Sequence, residues 1–252
     1  MKITIITVCL NAAKTINDAL KTVANQKNIE IEHIVVDGGS TDQTLEIVKK
    51  YKNVSALVSE PDKGIYDAMN KGIALVTGDI VGTLNADDFY SSELVLSEVE
   101  KAFQDPSIDA CYGDLVYVKQ DDVNKSVRYW KSGNYKDNLF RSGWMPAHPT
   151  FFVRKSIYER FGNFSLDYTI ASDFELLFRF IEKNKIKIKY IPKVMVKMRM
   201  GGTTNKNLTN VITQNKEIIK ILKEYYSDFS LVGFISSKLS NRFLQYIKHP
   251  KD

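Results

Sequence analysis

The stretch Ile80-Val81-Gly82-Thr83-Leu84-Asn85-Ala86-Asp87-Asp88 places an apolar run directly before two carboxylates. The apolar run has the length and composition of a buried strand. Two adjacent carboxylates at a strand end are costly unless positive charge lies beside them, and oxygen ligands suit Mg²⁺ and Mn²⁺. The alternative is structural, because an Asp-Asp pair can also cap a helix that starts near Ser91. Both interpretations stay open at this point.

The surrounding residues alternate between strand and helix patterns. Strands are predicted at 2–8, 31–37, 54–58 and 80–84, and helices at 14–25, from a Ser40/Gln43 capping box to about Tyr51, and at 64–76. This order predicts an α/β fold with a Rossmann-like, mostly parallel central sheet flanked by helices. Ligands bind beyond the carboxyl ends of such strands. We therefore expect one crevice to gather the strand-end residues Thr7–Asn11, Asp37, Glu60–Lys63 and Asn85–Asp88.

The pattern changes after about Ser107. Residues 108–118 and 125–131 predict a hairpin, and a short strand is predicted at 150–153. A capping box of Ser172 and Glu175 predicts a helix at 172–184. Strands are expected on either side of Pro192 within 187–199, followed by an amphipathic helix at 208–225.

Composition limits the class of protein. The 252 residues are 44% hydrophobic, enough for one large domain with its own core. Two cysteines in apolar runs indicate a reducing compartment, and three scattered histidines argue against a zinc cluster. The net charge of +5 suits anionic ligands or a membrane surface, but no nucleic-acid-binding motif is present. No signal peptide or transmembrane helix is expected, so a cytoplasmic location is predicted.

The order of motifs resembles the family 2 glycosyltransferases, which have the GT-A fold. The matching segments are Thr7-Val8 with Asn11, Val35–Asp42, Ser59–Gly72, Asn85–Asp88, His148 in Met-Pro-x-x-His, and Ala171–Glu175. The match runs from about residue 2 to 204 and is most distinctive at 59–72. It is similar to bacterial enzymes of exopolysaccharide, capsule, O-antigen and colanic acid synthesis. The resemblance implies a donor-binding half at 1–107, an acceptor-side half at 108–226 and a helical tail at 227–252.

The resemblance implies an inverting transferase that moves one sugar from a nucleoside-diphosphate sugar, with UDP favoured. The acceptor would be a hydroxyl of a glycan or of a polyprenyl-diphosphate-linked glycolipid. Asp88 would bind Mn²⁺ or Mg²⁺, with His148 as a second candidate ligand of the metal or the diphosphate. Asp173 would be the general base, although an Asp in the first turn of a helix is also stabilised by the helix dipole.

The donor would be bound by residues from several motifs. Asp37 would accept a hydrogen bond from the base, or would only cap the Gly38-Gly39 turn. Lysines near a diphosphate are electrostatically favourable, and glycines let backbone amides approach phosphate. Asn85 replaces the first Asp of the Asp-x-Asp-Asp motif common in the family. The full donor set is Thr7, Val8, Asn11, Asp37, Glu60, Asp62, Lys63, Asn70, Lys71, Asn85, Asp87, Arg199, Gly201 and Gly202.

The C-terminal tail has apolar residues at four-residue spacing. These are Leu231, Ile235, Leu239, Phe243 and Ile247, with Lys238, Arg242 and Lys248 among them. One hypothesis is an amphipathic basic helix on an anionic membrane, which would make the protein peripheral on the inner face of the plasma membrane. The alternative is a helix docked on the core or on another copy of the chain.

Several features of the sequence argue against classes of protein other than a transferase. A nucleotide-sugar-binding protein without catalysis would have no use for Asp87, Asp88 and Asp173 together. A nucleotidyltransferase needs a Gly-rich basic loop after the first strand, where this chain has Cys9-Leu10-Asn11-Ala12-Ala13-Lys14. Walker and dinucleotide-binding glycine motifs are also missing from the sequence.

Overall fold

The computed structural model describes residues 1–201 and 208–247. Within this part of the chain, nine strands form one sheet in the order β3-β2-β1-β4-β8-β6-β9-β5, with β7 beside β6. The strands are β1 Lys2–Cys9, β2 Glu30–Asp37, β3 Val54–Ser59, β4 Ile80–Thr83, β5 Asp88–Tyr90, β6 Ala110–Val118, β7 Ser126–Trp130, β8 Phe152–Arg154 and β9 Ile188–Arg199.

Helices cover both faces of this sheet. They are α1 Ile16–Ala24, α2 Thr44–Val48, α3 Ile65–Ala74, α4 Val95–Phe103, α5 Lys155–Phe161, α6 Ser172–Leu177, α7 Leu208–Tyr225 and α8 Leu231–Ile247. Short 3₁₀ turns lie at Leu139–Ser142 and His148–Thr150, and α6 continues as a π-helix over Phe178–Lys183.

The first four strands form the parallel half of the sheet. β1 pairs in parallel with β2 and β4, and β2 pairs in parallel with β3. α1 buries Ile16, Ala19, Leu20 and Val23, the spacing expected for one face of a helix. The prediction of alternating strands and helices in this half is confirmed.

The second half adds mostly antiparallel pairs. β8 pairs antiparallel with β4 and β6, and β6 and β7 form the predicted hairpin. The sheet runs without a break across residue 107, so the two expected halves share it. The division of the chain at 107 and 226 stays a prediction.

Pro192 does not separate two strands, as the sequence predicted. β9 runs from Ile188 to Arg199, and its pairing with β6 shifts register between Tyr112 and Asp114. The partners of these two residues are Tyr190 and Val194, so Pro192 lies in the bulge between them. A bulge leaves a residue outside the ladder, and a proline without an N–H is tolerated there.

Neither predicted capping box forms, and the Asp-Asp pair caps no helix. The Ser40 hydroxyl accepts from the backbone N–H of Asn11, while Asp42 accepts from the N–H of Thr44 at the start of α2. Ser172 donates to the carbonyl of Ser165, and Glu175 pairs with Arg179. These side chains bind partners other than the backbone groups that a capping box would use: Ser40 a distant segment, and Ser172 and Glu175 neighbouring ones.

The Asp87-Asp88 pair leads into strand β5, which pairs with β9, and α4 begins only at Val95. The capping interpretation of this pair is therefore wrong. In the described part of the chain, no helix is both long and apolar enough to cross a membrane.

Candidate active site

The carboxyl ends of β1 and β4 open into a cavity of about 1260 Å³. Helices α3, α6, α7 and α8, strands β6, β7 and β9 and the connecting loops contribute further wall residues. Among the residues that the sequence singled out, those lining this cavity are Val8, Asn11, Asp62, Asn85, Asp87, His148, Asp173 and Arg199. The structure therefore brings together residues that are up to 191 positions apart in the chain, from Val8 to Arg199.

The other expected site residues do not line the cavity. Thr7, Asp37 and Asp88 are fully buried behind its wall. Glu60, Lys63, Asn70 and Lys71 lie beside it on the loop after β3 and on α3. Gly201 follows β9 with a φ of +103°, whereas Gly202, Thr203 and Thr204 lie outside the described residues.

Asp88 and Asn85 present two oxygen atoms without hydrogen-bond partners. Both Asp88 Oδ1 and Asn85 Oδ1 are buried and unpaired among the described residues. Burial and the neighbouring charge of Asp87 raise the pKa of Asp88 well above its usual value. Unpaired buried oxygens are costly, and oxygen is the ligand that hard divalent cations prefer.

This donor set fits a divalent cation that is shared with a diphosphate. Magnesium is commonly held by one or two carboxylates together with substrate phosphates. Across the described residues, no group of three or more His, Cys, Asp or Glu side chains is gathered for a metal ion.

Arg199 holds in place the turn Asn85–Asp88, which we call the acid turn. Its Nη1 donates to the carbonyl of Asp87 over 2.9 Å, and its Nη2 forms an ion pair with Asp18 of α1. The guanidinium carbon lies 5.0 Å from the ring centroid of Phe89. Arg199 at the end of β9 thus fixes the backbone between the two aspartates.

Asp37 organises the Gly38-Gly39 turn. Its Oδ2 accepts from the backbone N–H groups of Gly39 and Ser40, and from the Ser59 hydroxyl at 2.8 Å. Burial alone would raise the pKa of Asp37, but these hydrogen bonds outweigh it and hold the pKa below its usual value. The turn-capping role is present in the structure, and the expected contact with a base stays a prediction.

The polar residues of α3 bind protein groups. Asn70 donates to the carbonyl of Phe164 and accepts from the Phe164 N–H, at 2.9 and 3.0 Å. Lys71 pairs with Glu60 at 2.8 Å and donates to the carbonyl of Pro61. These contacts fix the loop after β3 and the segment before α6 on either side of the cavity.

Asp173 lies in the cavity with three polar neighbours. His148 Nδ1 is 3.2 Å from Asp173 Oδ2, and the Tyr66 hydroxyl is 3.4 Å from Oδ1. The backbone N–H of Phe174 also donates to Oδ1 over 2.8 Å. The structure thus places His148, expected as a metal ligand, against the candidate base.

Sequence reasoning missed Glu217 of α7. Its carboxylate accepts from the backbone N–H groups of Thr169, Ile170 and Ala171 at 2.8 to 3.0 Å. These are the residues directly before α6, so Glu217 positions the start of the helix that carries Asp173. No local pattern marks this glutamate, because its partners are 46 to 48 residues away.

A second missed group comes from β7 and α8. Arg128, Lys131, Lys238 and Arg242 all line the cavity. The sequence placed Lys238 and Arg242 in a tail that either binds a membrane or docks on the core, and Lys238 donates to Asn215 of α7 over 2.6 Å. α8 is docked by Phe234, which is 2% exposed, while the face with Leu231, Ile235, Leu239 and Phe243 is exposed.

This architecture defines a class of protein. A curled sheet with a parallel first half, an acid pair after its fourth strand and a carboxylate facing that pair across a cavity is typical of GT-A glycosyltransferases. TarS of S. aureus (residues 1–349) superposes with a TM-score of 0.69 at 19% identity, over 95% of this chain and 72% of that one. The mannosyltransferase PcManGT of Pyrobaculum calidifontis gives 0.65 at 18%, over 95% and 69%.

The profile of glycosyl transferase family 2 matches residues 4–162, so the chain belongs to this family and is a glycosyltransferase. It is similar to a PGL/p-HBAD biosynthesis glycosyltransferase of Mycobacterium bovis. The two are 28% identical over 219 residues, which cover 84% of this chain and 80% of the relative.

Proposed function

We propose that this glycosyltransferase is inverting and cation-dependent, and that it moves one sugar from a nucleoside-diphosphate sugar to a hydroxyl group. The acceptor is a glycan or a polyprenyl-diphosphate-linked glycolipid of surface polysaccharide synthesis. The observation that carries the proposal is the placement of Asp173 in the same cavity as Asn85 and Asp87. The candidate base and Asp87 of the acid turn therefore share one cavity of about 1260 Å³.

In this mechanism Asp173 is the catalytic base. Its carboxylate takes the proton of the acceptor hydroxyl while the hydroxyl oxygen attacks the anomeric carbon. The bond from that carbon to the diphosphate breaks, and the electron pair leaves with the diphosphate. His148 and Tyr66 hold the carboxylate in position through their contacts at 3.2 and 3.4 Å. General-base assistance of this kind contributes about 10²–10⁴-fold to the rate.

Asp88 and Asn85 would hold Mn²⁺ or Mg²⁺ through their unpaired oxygens. When bound, the cation neutralises the charge that develops on the leaving diphosphate. PcManGT was solved with GDP-Man and Mn²⁺, which supports the use of a divalent cation. We assign His148 to Asp173 as a positioning residue, because that contact is the one the structure contains.

The donor lies against the wall formed by Val8, Asn11, Asp62, Asn85, Asp87 and Arg199. Thr7 and Asp37 support this wall from behind, and Glu60, Lys63, Asn70 and Lys71 fix the loop and helix at its edge. TarS was solved with UDP and with UDP-GlcNAc, which supports the preference for UDP.

A thermal-shift panel of UDP, GDP, dTDP and CMP, each with Mn²⁺ or with EDTA, tests the proposal. A ligand at about 100 times its Kd adds about 2.7 kcal/mol to the free energy of unfolding, a shift of roughly 5–10 °C for a chain of this size. We expect one nucleotide, UDP first, to shift the wild type only with Mn²⁺. Asp88→Asn should lose the shift and Asp79→Asn, an exposed aspartate, should keep it. No shift with any nucleotide would refute the donor site.

We further propose that the exposed face of α8 rests on an anionic membrane surface. Leu231, Ile235, Leu239 and Phe243 supply the apolar contact. The double variant Leu239→Ser/Phe243→Ser should no longer float with phosphatidylglycerol vesicles. Leu208→Ser removes an equally exposed leucine from α7 and should float like the wild type. A wild-type protein that ignores such vesicles would rule the surface out.

A further inference from the structure

We propose that Arg128, Lys238 and Arg242 form a subsite for a phosphate group of the acceptor, on the side of the cavity opposite the acid turn. This inference rests on the proposed transferase function and specifies the class of acceptor. The three cations come from β7 and α8 and line the same cavity as Asp173.

Arg128 is a buried arginine with one unused donor, its Nε–H. It is 8% exposed, and its guanidinium carbon stacks 3.7 Å from the ring centroid of Tyr117. Its Nε is buried and has no hydrogen-bond partner in the described part of the chain. The described arginines that pair with a carboxylate in the structure include Arg141, Arg179 and Arg199, but not Arg128. A buried charge of this kind is costly unless an anion accompanies it.

Lys238 brings a second desolvated cation to the same cavity. Its Nζ donates to Asn215 and lies 5.3 Å from the ring centroid of Phe234. Burial, together with the like charge of Arg242 one turn along α8, lowers the pKa of Lys238 to about 8, against the opposing influence of Asp173. Like charges four residues apart on a helix destabilise it, and an anion between them removes the repulsion.

The sheet register separates the backbone of Arg128 from the backbone of Asp88. Asp88 pairs with Met198, Met198 with Tyr117, and Tyr117 with Arg128. Arg128 is therefore three strand spacings from Asp88, about 14 Å along the sheet. A donor diphosphate held at the acid turn leaves the Arg128 side of the cavity for another molecule.

Lys238 and Asp173 line the same cavity. The anion bound here therefore belongs to the molecule whose hydroxyl faces Asp173, which is the acceptor. The donor diphosphate is the other source of the same chemistry, and the experiment separates the two.

The probe is phenyl phosphate, titrated calorimetrically into the full-length protein with and without saturating UDP and Mn²⁺. Phenol serves as the uncharged matched ligand. We expect phenyl phosphate, but not phenol, to bind the UDP-saturated wild type. Arg128→Gln and Lys238→Met should each weaken this binding about tenfold, which corresponds to about 1.4 kcal/mol. The affinity for UDP should stay within about twofold, a difference of about 0.4 kcal/mol. Lys101→Gln, an exposed lysine on α4, should match the wild type.

Failure of phenyl phosphate to bind the UDP-saturated wild type, or unchanged binding by both variants, would overturn the subsite. Equal losses of affinity for UDP and for phenyl phosphate would assign these cations to the donor diphosphate, and this result would also overturn the acceptor subsite. If no nucleotide binds but the binding of phenyl phosphate still depends on Arg128 and Lys238, the anion site is supported and the transferase proposal fails. Lys238→Met removes a desolvated charge at similar volume, so it is expected to fold even if Arg128→Gln does not.

Discussion

At the scale of single residues, α6 shows how two acids in one helical turn take different roles. Asp173 faces the cavity and contacts His148, whereas Glu175 forms a bidentate ion pair with Arg179. Both residues occupy the first turn, where the helix dipole favours negative charge. The dipole therefore does not distinguish them, and only the surroundings of each carboxylate do.

Replacement of Asp173 by Asn is expected to lower kcat about 10²–10⁴-fold, because the amide cannot accept the acceptor's proton. Binding of the donor nucleotide should be unchanged. Single-turnover transfer and nucleotide titration measure the two effects separately. Glu175→Gln is the matched control and should retain most of the rate. Full turnover in Asp173→Asn would remove the base assignment, whereas a wild type that binds the nucleotide sugar but transfers no sugar would favour a binding protein without catalysis.

His33 makes stability depend on pH. It is fully buried in β2, with Nε2 3.0 Å from Thr7 Oγ1, and burial lowers the pKa of His33 to about 4. The unfolded chain binds the proton more readily than the folded one. The contribution of neutral His33 to the free energy of unfolding is therefore fully present above about pH 6.5 and is lost as the pH falls toward 4. We expect a loss of about 2 kcal/mol between pH 7 and pH 5 from this residue. His33→Gln should reduce that pH dependence in urea unfolding, and identical profiles would contradict the prediction.

At the scale of elements, α7 acts as the support of α6. Glu217 accepts three backbone N–H groups of the segment before Asp173, and Asn215 on the same helix accepts from Lys238. Because N–H groups at the start of a short helix lack internal partners, an external carboxylate stabilises both the helix and its position. α7 thereby links the candidate base to the cation group.

Glu217→Gln is expected to destabilise the protein by about 1–3 kcal/mol, since a charged acceptor of three hydrogen bonds becomes neutral. kcat should fall more than the KM for the donor rises, because the base moves while the donor wall does not. Urea unfolding and steady-state kinetics give the two quantities. Glu224→Gln lies on the exposed face of the same helix and should change neither. A Glu217→Gln enzyme with native kcat would show that the contact is structural only.

At the scale of the whole molecule, α8 closes the cavity. Phe234 inserts beside Gly143, whose φ of +75° and lack of a side chain let the ring approach. A Cβ at Gly143 would lie 2.8 Å from the Phe234 ring. One aromatic anchor thus docks a helix whose opposite face stays exposed and whose cations line the cavity.

Phe234→Ala should cost about 3–5 kcal/mol locally, the range for removing a buried aromatic ring. We expect faster amide exchange and proteolysis within 231–247, with the parallel half of the sheet unchanged. Phe243→Ala removes a ring that is 65% exposed and should exchange like the wild type. Equal exchange rates in both variants would mean that Phe234 does not anchor the helix.

Sequence patterns alone predict the parallel half of the sheet, the hairpin, α7 and the membership of the family. These features are local or repeat at a regular period, so apolar spacing and motif order suffice to predict them. The sequence also identified eight cavity residues, five because parallel strands end at one edge of a sheet, and His148, Asp173 and Arg199 through the resemblance to the family.

Contacts between distant segments determine which carboxylates reach the cavity, where Ser40 finds its partner, and which way α8 faces. Glu217, Arg128 and Lys238 act on residues distant in the chain, and no spacing encodes such contacts. Pro192 was misread for the same reason, since a bulge depends on the neighbouring strand. The physical cause is that burial and hydrogen bonding between distant segments outweigh local preferences of a fraction of a kcal/mol to about 1 kcal/mol.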